Sequence, residues 1–292
     1  VKILYKFPIG VLLDSFKTNI DAALKSTVEV GARGIQVYST YGELAPQNLT
    51  GEKRKEFLKK GKDSGLMISA LCGDLGHGFG HSQKNPELIE QSKQILYLAK
   101  ELETDVITTH IGVVPDDSAH PRYRIMQDAC RELAQFADSL NAHFAVETGP
   151  ETSIVLKNFL DSIGSKGIGV NLDPANLVMV TGDNPVQAVY NLKDYIFHTH
   201  AKDGRKLIDK DPEIIYGIRP NLVEDEIQEG TAFMELPLGE GCVDFDNYPK
   251  ALDSIGYRGF LTIEREVGEN PKKDIGAAVE FLNSKIGECT YD

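Results

Sequence analysis

Four ionisable side chains, each closing a short apolar run, carry the clearest chemical signal in this sequence. Glu147 ends His143-Phe144-Ala145-Val146, and Asp173 ends Ile168-Gly169-Val170-Asn171-Leu172. His200 ends Tyr195-Ile196-Phe197-His198-Thr199, and Glu264 ends Phe260-Leu261-Thr262-Ile263. Apolar runs of this length, bounded by turn-forming residues, read as buried parallel strands. Charged groups at the C-terminal ends of such strands stand where α/β folds carry out chemistry. Side chains alternate along a strand, so His198 and His200 share one face, as do Asn171 and Asp173. Three carboxylates meeting at a barrel mouth would repel one another and lose their hydration, and a divalent cation resolves that conflict. Glu147, Asp173, His200 and Glu264 are therefore the candidate metal ligands. Oxygen-rich ligation with one imidazole favours Mn2+, and Mg2+, Co2+ or Zn2+ also satisfy the donor set. Taken singly, each residue has a plainer reading: Asp173-Pro174 as a strand-ending turn, the glutamates as a solvated rim, His200 as a satisfied core histidine. Their joint placement on four successive strands is what points to a metal.

The elements that must position these groups form a repeating pattern of apolar run, turn and amphipathic stretch. Strands are expected at 2–7, 33–38, 66–72, 105–111, 142–147, 167–173, 195–201 and 259–264. Helices are expected near 18–30, 50–64, 86–103, 121–141, 152–163, 184–193, 246–256 and 271–286. In 86–103, Leu88, Ile95, Leu98, Ala99 and Leu102 recur at helical spacing behind Pro86. Gly182-Asp183-Asn184-Pro185 supplies a cap and a first-turn proline. Eight such units without a linker or low-complexity segment predict an α/β fold, a (β/α)8 TIM barrel forming one domain over 1–292. One connection is abnormal. After His200 about 45 residues pass before the next helix, where about 2–6 is usual. This insert after strand 7, spanning 203–245, carries Asp203, Arg205, Arg219 and Glu224-Asp225-Glu226. It reads as a lid over the site, or else as a solvated excursion or a contact between copies in a homo-oligomer.

Composition narrows the partners. Of 292 residues, 31 are Lys or Arg and 44 are Asp or Glu, a formal net charge of -13. That balance repels a phosphate backbone, so nucleic acid is not expected as a partner. No apolar run approaches the roughly 20 residues that cross a bilayer, so no membrane partner is expected. Val1-Lys2-Ile3-Leu4-Tyr5 reads as strand and not as a secretory signal. Cys72, Cys130, Cys242 and Cys289 are scattered without a CxxC pair, which fits reduced cysteines and a cytoplasmic protein. The expected partner is a small, near-neutral molecule.

The motifs around the four candidates resemble the xylose isomerase-like TIM barrels. They are Val146-Glu147-Thr148-Gly149, Val170-Asn171-Leu172-Asp173-Pro174-Ala175-Asn176, His198-Thr199-His200-Ala201-Lys202-Asp203 and Thr262-Ile263-Glu264. Pro237-Leu238-Gly239-Glu240-Gly241 followed by Val243-Asp244-Phe245 is a further hallmark. The group includes sugar-phosphate isomerases, ketose 3-epimerases, inosose dehydratase and AP endonuclease family 2. The resemblance implies that Glu147, Asp173, His200 and Glu264 bind the metal. It also implies that Glu147 and Glu264 face opposite sides of the substrate carbon as the catalytic acid/base pair. The activity implied is a metal-dependent isomerase or epimerase of carbohydrate metabolism, acting on a sugar, polyol or keto-sugar by proton abstraction through a metal-stabilised enediolate. The alternative is a lyase or dehydratase of the inosose dehydratase kind on the same metal site. Asn176 stands where the epimerase branch often carries His, so its contact with a substrate hydroxyl is altered or absent. The endonuclease branch needs further His and Asp ligands; His110 matches one, Asn176 replaces another, and no third-metal set is present.

Several further residues are candidates for substrate binding. His110 ends the fourth strand and is expected to face the pocket. Lys202 follows His200 and suits an oxyanion or hydroxyl, whereas Arg205 reads as a solvated residue of the insert. Glu151 either orients substrate or serves a helix N-terminus. Gly73-Asp74-Leu75-Gly76-His77-Gly78-Phe79-Gly80-His81 lacks the Lys-Ser of a phosphate loop, which excludes nucleotide binding. It reads as an active-site loop offering His77 or Phe79. With no Trp in the chain, sugar stacking would fall to Tyr38, Phe79 or Phe7. His198 is expected to be a buried residue of a barrel layer.

Overall fold

Parallel neighbours cannot be joined by a tight hairpin, so each strand needs a crossover, usually helical. This chain supplies those crossovers. The computed structural model describes residues 5–217 and 232–287. Its barrel strands are β1 (Ile9–Leu12), β2 (Gly34–Tyr38), β3 (Met67–Cys72), β4 (Val106–Thr109), β5 (His143–Glu147), β6 (Ile168–Leu172) and β7 (Ile196–Ala201). Two short strands of the insert follow, β8 (Asp203–Lys206) and β9 (Phe233–Leu236), and β10 (Leu261–Ile263) is the eighth barrel strand. The closed order is β1-β10-β7-β6-β5-β4-β3-β2, and all eight barrel pairings are parallel. The (β/α)8 barrel expected from the sequence is the observed fold.

Around it pack α1 (Ile20–Glu29), α2 (Gly51–Asp63), α3 (Asn85–Glu101), α4 (Pro121–Ser139) and α5 (Ser153–Ile163), then Pro185–Asn191, Tyr248–Ser254 and Pro271–Ile286. The stripe on α3 is the one its periodicity predicts: Leu88, Ile95, Leu98, Ala99 and Leu102 are all buried in the common core. Asn184 caps the helix Pro185–Asn191, accepting from the backbone N–H of Val186 and of Gln187. One strand expectation fails. No strand occupies the described part of 2–7; the first barrel strand starts at Ile9, and Val1–Leu4 lie outside the described residues. Pro8 has no N–H to give a ladder, and its carbonyl instead accepts from Leu261 N at 2.9 Å, directly before pairing begins.

The insert folds back on itself as an antiparallel pair, with Asp203 opposite Leu236 and Lys206 opposite Phe233. Between them lies the short helix Pro212–Ile215. Residues 218–231, with Arg219 and Glu224-Asp225-Glu226, are outside the described set. Asp203 is 1% exposed. Its carboxylate accepts from the backbone N–H of Gly204, Gly239, Gly241 and Val243, at 2.8 to 3.0 Å. Gly241 is required here because a Cβ would stand 2.1 Å from Asp203 Oδ1. The Leu238-Gly239-Glu240-Gly241 motif is thus a turn wrapped around one anion, which ties the end of the insert to β8. Among the described residues no helix is long and apolar enough to cross a membrane.

Asp203→Asn keeps the side-chain shape but turns one acceptor into a donor aimed at two N–H groups. Each buried polar group left unmet costs about 1–3 kcal/mol. The variant should therefore lose several degrees of thermal midpoint and become more easily cleaved within 204–243. An unchanged midpoint and proteolysis pattern would show that the carboxylate does not hold the turn.

Candidate metal centre

β5, β6, β7 and β10 all end on one rim, because parallel barrel strands run in one direction. Glu147 is the last residue of β5 and Asp173 follows β6 directly. His200 lies near the end of β7, and Glu264 follows β10. One ligand-type atom from each lies within 4.8 Å of the others, and all four residues are buried. His200 Nδ1 stands 3.3 Å from Asp173 Oδ2, 3.4 Å from Glu264 Oε2 and 3.7 Å from Glu147 Oε1. Three oxygen donors and one imidazole nitrogen converging in this way are chemically suited to a divalent cation.

Each carboxylate is held by its neighbours. Glu147 accepts from Asn171 Nδ2 at Oε2 (3.1 Å) and from Asn176 Nδ2 at Oε1 (3.0 Å). Asp173 Oδ1 accepts from the backbone N–H of Asn176 at 2.8 Å, capping the short turn Pro174–Asn176. Thr148 locks β5 to β6: its hydroxyl donates to Asp173 O and accepts from Asp173 N, both at 2.8 Å. Gly149, at φ +144°, lets the chain leave the rim, since a Cβ there would meet Asn176 Cβ at 2.6 Å. Glu264 Oε2 accepts from Lys202 Nζ at 2.9 Å, and Lys202 also donates to Glu266 Oε2 at 2.5 Å.

These contacts separate the charge states of the two glutamates. Burial lifts Glu147 to about 7, against the pull of His110 and His200. Burial acts on Glu264 in the same sense, but Lys202 and then His200 outweigh it and hold that carboxyl well below its usual range. Burial would depress His200, yet Glu264, Glu147 and Asp173 raise it well above the usual imidazole value. His198, in contrast, is pushed well down by burial and by His200. It stays neutral as a buried link, with Nδ1 2.8 Å from Asn171 Oδ1 and Nε2 3.0 Å from Thr262 Oγ1. That is the barrel-layer role expected of it.

The secondary candidates divide. His110, just past β4, faces the site with Nε2 3.7 Å from Glu147 Oε1. Asn176 and Lys202 both line the cavity over the metal candidates, about 260 Å³ in volume, and both are engaged by the glutamates. Tyr38 lines it too. His77 does not. It lines an adjoining cavity of about 250 Å³ that meets the first at Asp74, His110 and Tyr216. Phe7 and Phe79 are core residues, 0% and 3% exposed, and Phe79 packs edge-on against Phe144. Neither stacks on a ligand in this cavity, because the hydrophobic core claims them. Arg205 is exposed, as expected of a solvated insert residue. Glu151 is 5% exposed and does not line this cavity; its Oε2 accepts from Val114 N at 3.1 Å and its Oε1 has no partner.

Sequence reasoning offered a lid as one reading of the insert but named none of the residues that it brings to the cavity. Ile215, Tyr216 and Phe233 all line the cavity, and the Tyr216 ring lies 5.7 Å from that of His110. Arg122 of α4 pairs with Glu213, and Arg265 pairs with Glu235 at 2.6 Å, clamping the insert at two points. The insert is a wall of the site. Gln36 was also missed; its only signal was a polar residue inside the run Gly34-Ile35-Gln36-Val37-Tyr38. A larger surface groove of about 860 Å³ runs between α1 and α2. Its acids and lysines are solvent-facing, so the smaller cavity, where buried ionisable groups converge, is the better candidate for chemistry.

Comparison with known proteins finds relatives of this fold. The xylose isomerase-like TIM barrel family profile matches residues 24–285. A putative L-ribulose-5-phosphate 3-epimerase, SgbU of Escherichia coli, is 22% identical over 247 residues, 78% of this chain and 77% of that protein. Inosose dehydratase of Clostridium beijerinckii is 24% identical over 180 residues, 56% of this chain, and the match spans only 55% of that enzyme. The crystal structure of the IolI protein, which contains a bound zinc atom, superposes with a TM-score of 0.74 at 15% identity, covering 97% of this chain and 100% of that one. The relatives named for an activity are enzymes, and this likeness in structure speaks for the fold.

Burial raises the Glu151 carboxyl to about 8, with the Val114 N–H opposing it. A folded-state value above the unfolded one means that stability is full below about 4.5 and is lost as pH rises through about 8. Glu151→Gln has no proton to lose. Measured by urea unfolding, its stability relative to the parent should grow between pH 5 and 8, by up to about 1.4 kcal/mol per unit. Parallel pH profiles would show that Glu151 is already ionised when folded.

Proposed function

The chain belongs to the xylose isomerase-like TIM barrel family, and from that premise we propose that it is a divalent-metal-dependent isomerase or epimerase of a sugar, polyol or keto-sugar. The observation that carries this reading is the meeting of Glu147, Asp173, His200 and Glu264 at the C-terminal rim, where Glu147, His200 and Glu264 also line one small cavity. Those four residues would hold the ion, with Mn2+ favoured by the three carboxylates. When bound, the ion would polarise a carbonyl, acidify the neighbouring C–H and bear the negative charge that develops.

The protein's own groups do the rest. Glu147 and Glu264 are the acid/base pair: one carboxylate takes the proton from carbon, and either it or the other returns one. Their environments differ as such a pair requires, one lifted by burial and the other kept anionic by Lys202. Asn176 orients Glu147 through Oε1 and His110 stands beside the same oxygen, so both are placed to meet substrate hydroxyls. Lys202 and His77 are the remaining substrate-side candidates, with His77 reaching only a part of the substrate that extends into the adjoining cavity; Glu151, expected from the sequence to orient substrate or serve a helix N-terminus, lines neither cavity and instead accepts from Val114 N. Tyr216 and Phe233 shield the reacting carbon from water. A cavity of about 260 Å³ suits one small molecule, below the ~300–1,000 Å³ of drug-sized sites.

The likeness to inosose dehydratase supports a second reading, in which the same proton abstraction expels a β-hydroxyl as water. Turnover of ketoses and inososes in deuterated water separates the two. Deuterium at one carbon with no loss of water is the expected outcome; a dehydrated, unsaturated product would favour the lyase. Glu147→Gln and Glu264→Gln should each lower kcat by about 10²–10⁴-fold, measured on protein whose far-UV circular dichroism matches the parent. A near-parental rate in either variant would refute the assignment of the pair.

A further inference from the structure

We propose that Gln36 is a positioning residue for the metal centre: it fixes the tautomer of His200 and thereby decides which ring nitrogen faces the ion. This rests on the metal-site reading above. Gln36 is 1% exposed on β2, across the barrel interior from the four candidate ligands. Its Oε1 lies 2.9 Å from His200 Nε2, and its Nε2 donates to Thr108 Oγ1 at 2.7 Å. The opposite nitrogen, Nδ1, is the one within 3.3 to 3.7 Å of all three carboxylates.

The chemistry closes from these distances. A neutral imidazole that gives its Nδ1 lone pair to a cation carries its proton on Nε2. That N–H is buried and needs an acceptor. Asn171 Nδ2 lies 3.2 Å from Nε2, but it is a donor already turned to Glu147 Oε2, and Asn171 Oδ1 is taken by His198. The Gln36 carbonyl is thus the acceptor in reach, and the Thr108 hydroxyl keeps the amide turned so that oxygen faces the ring. Metal-bound histidines generally donate their second N–H to such a partner, and losing it weakens metal binding by about 10–100-fold. In this chain the partner comes from β2, on the far side of the barrel from the metal-bearing strands, so ring orientation is set across the interior.

Titration of the full chain with Mn2+ and with Zn2+ by calorimetry, before any substrate is known, tests this. Gln36→Met, similar in size but without the acceptor, should bind both ions about 10–100-fold more weakly than the parent. Gln36→Glu, which keeps the acceptor and makes it stronger, should bind at least as tightly as the parent. In the Zn2+-loaded, ¹⁵N-histidine-labelled protein, the His200 Nε2–H resonance should be present for the parent and Gln36→Glu and absent or shifted for Gln36→Met, while that of His198 stays in place. Equal affinity and an unmoved His200 signal in Gln36→Met overturn the assignment, as does Gln36→Glu binding as weakly as Gln36→Met. Failure of the parent itself to bind either ion strikes instead at the metal site, which keeps the two failures apart.

Discussion

Burying three carboxylates side by side is the constraint from which the rest of this site follows. Glu147, Asp173 and Glu264 are each no more than 8% exposed, in surroundings where an unpaired anion costs several kcal/mol. The protein meets that cost in four ways. It brings one lysine to Glu264, two side-chain amides to Glu147 and a backbone N–H to Asp173, and it sets His200 among all three. What remains is an excess of negative charge with inward-facing lone pairs, and such a cluster suits a divalent cation.

A parallel barrel is well made for this arrangement. Its strands all end on one rim, and side-chain alternation places a second tier of residues one step below. That lower tier is polar here: Gln36 and Thr108 are joined on one side, and Asn171, His198 and Thr262 form a chain on the other. Each polar group in it has a partner, so the tier stiffens the donors above instead of destabilising the barrel. The residues alternating with this tier, Phe144, Val146, Val170 and Leu172, join those of the surrounding helices in one core.

The insert extends the same economy of partners to the mouth of the barrel. One buried aspartate, Asp203, gathers four backbone N–H groups and closes the returning turn. Two ion pairs, Arg122 with Glu213 and Arg265 with Glu235, then fix the insert to α4 and to the loop after β10. As a result, Tyr216 and Phe233, distant in sequence from the metal candidates, become part of their cavity. The glycine-rich loop after β3, with His77, belongs to the neighbouring chamber, and Tyr216 with His110 stands between the two.

The amino-acid sequence by itself determined the repeating units, the helical stripe on α3, the caps and the four ionisable residues at strand ends. All of these are local, because burial period, turn chemistry and strand polarity are written over windows of a few residues. It mistook 2–7 for the first strand because apolar residues before Pro8 resemble one, although pairing depends on a partner strand more than 250 residues away. Tertiary structure alone decided that Phe7 and Phe79 pack into the core, that the insert walls the cavity, and that Gln36 meets His200 across 164 positions of chain. A hydrogen-bond partner brought by barrel closure leaves no periodic trace in sequence. The same glutamine would read identically in any strand whose polar residue merely faced solvent.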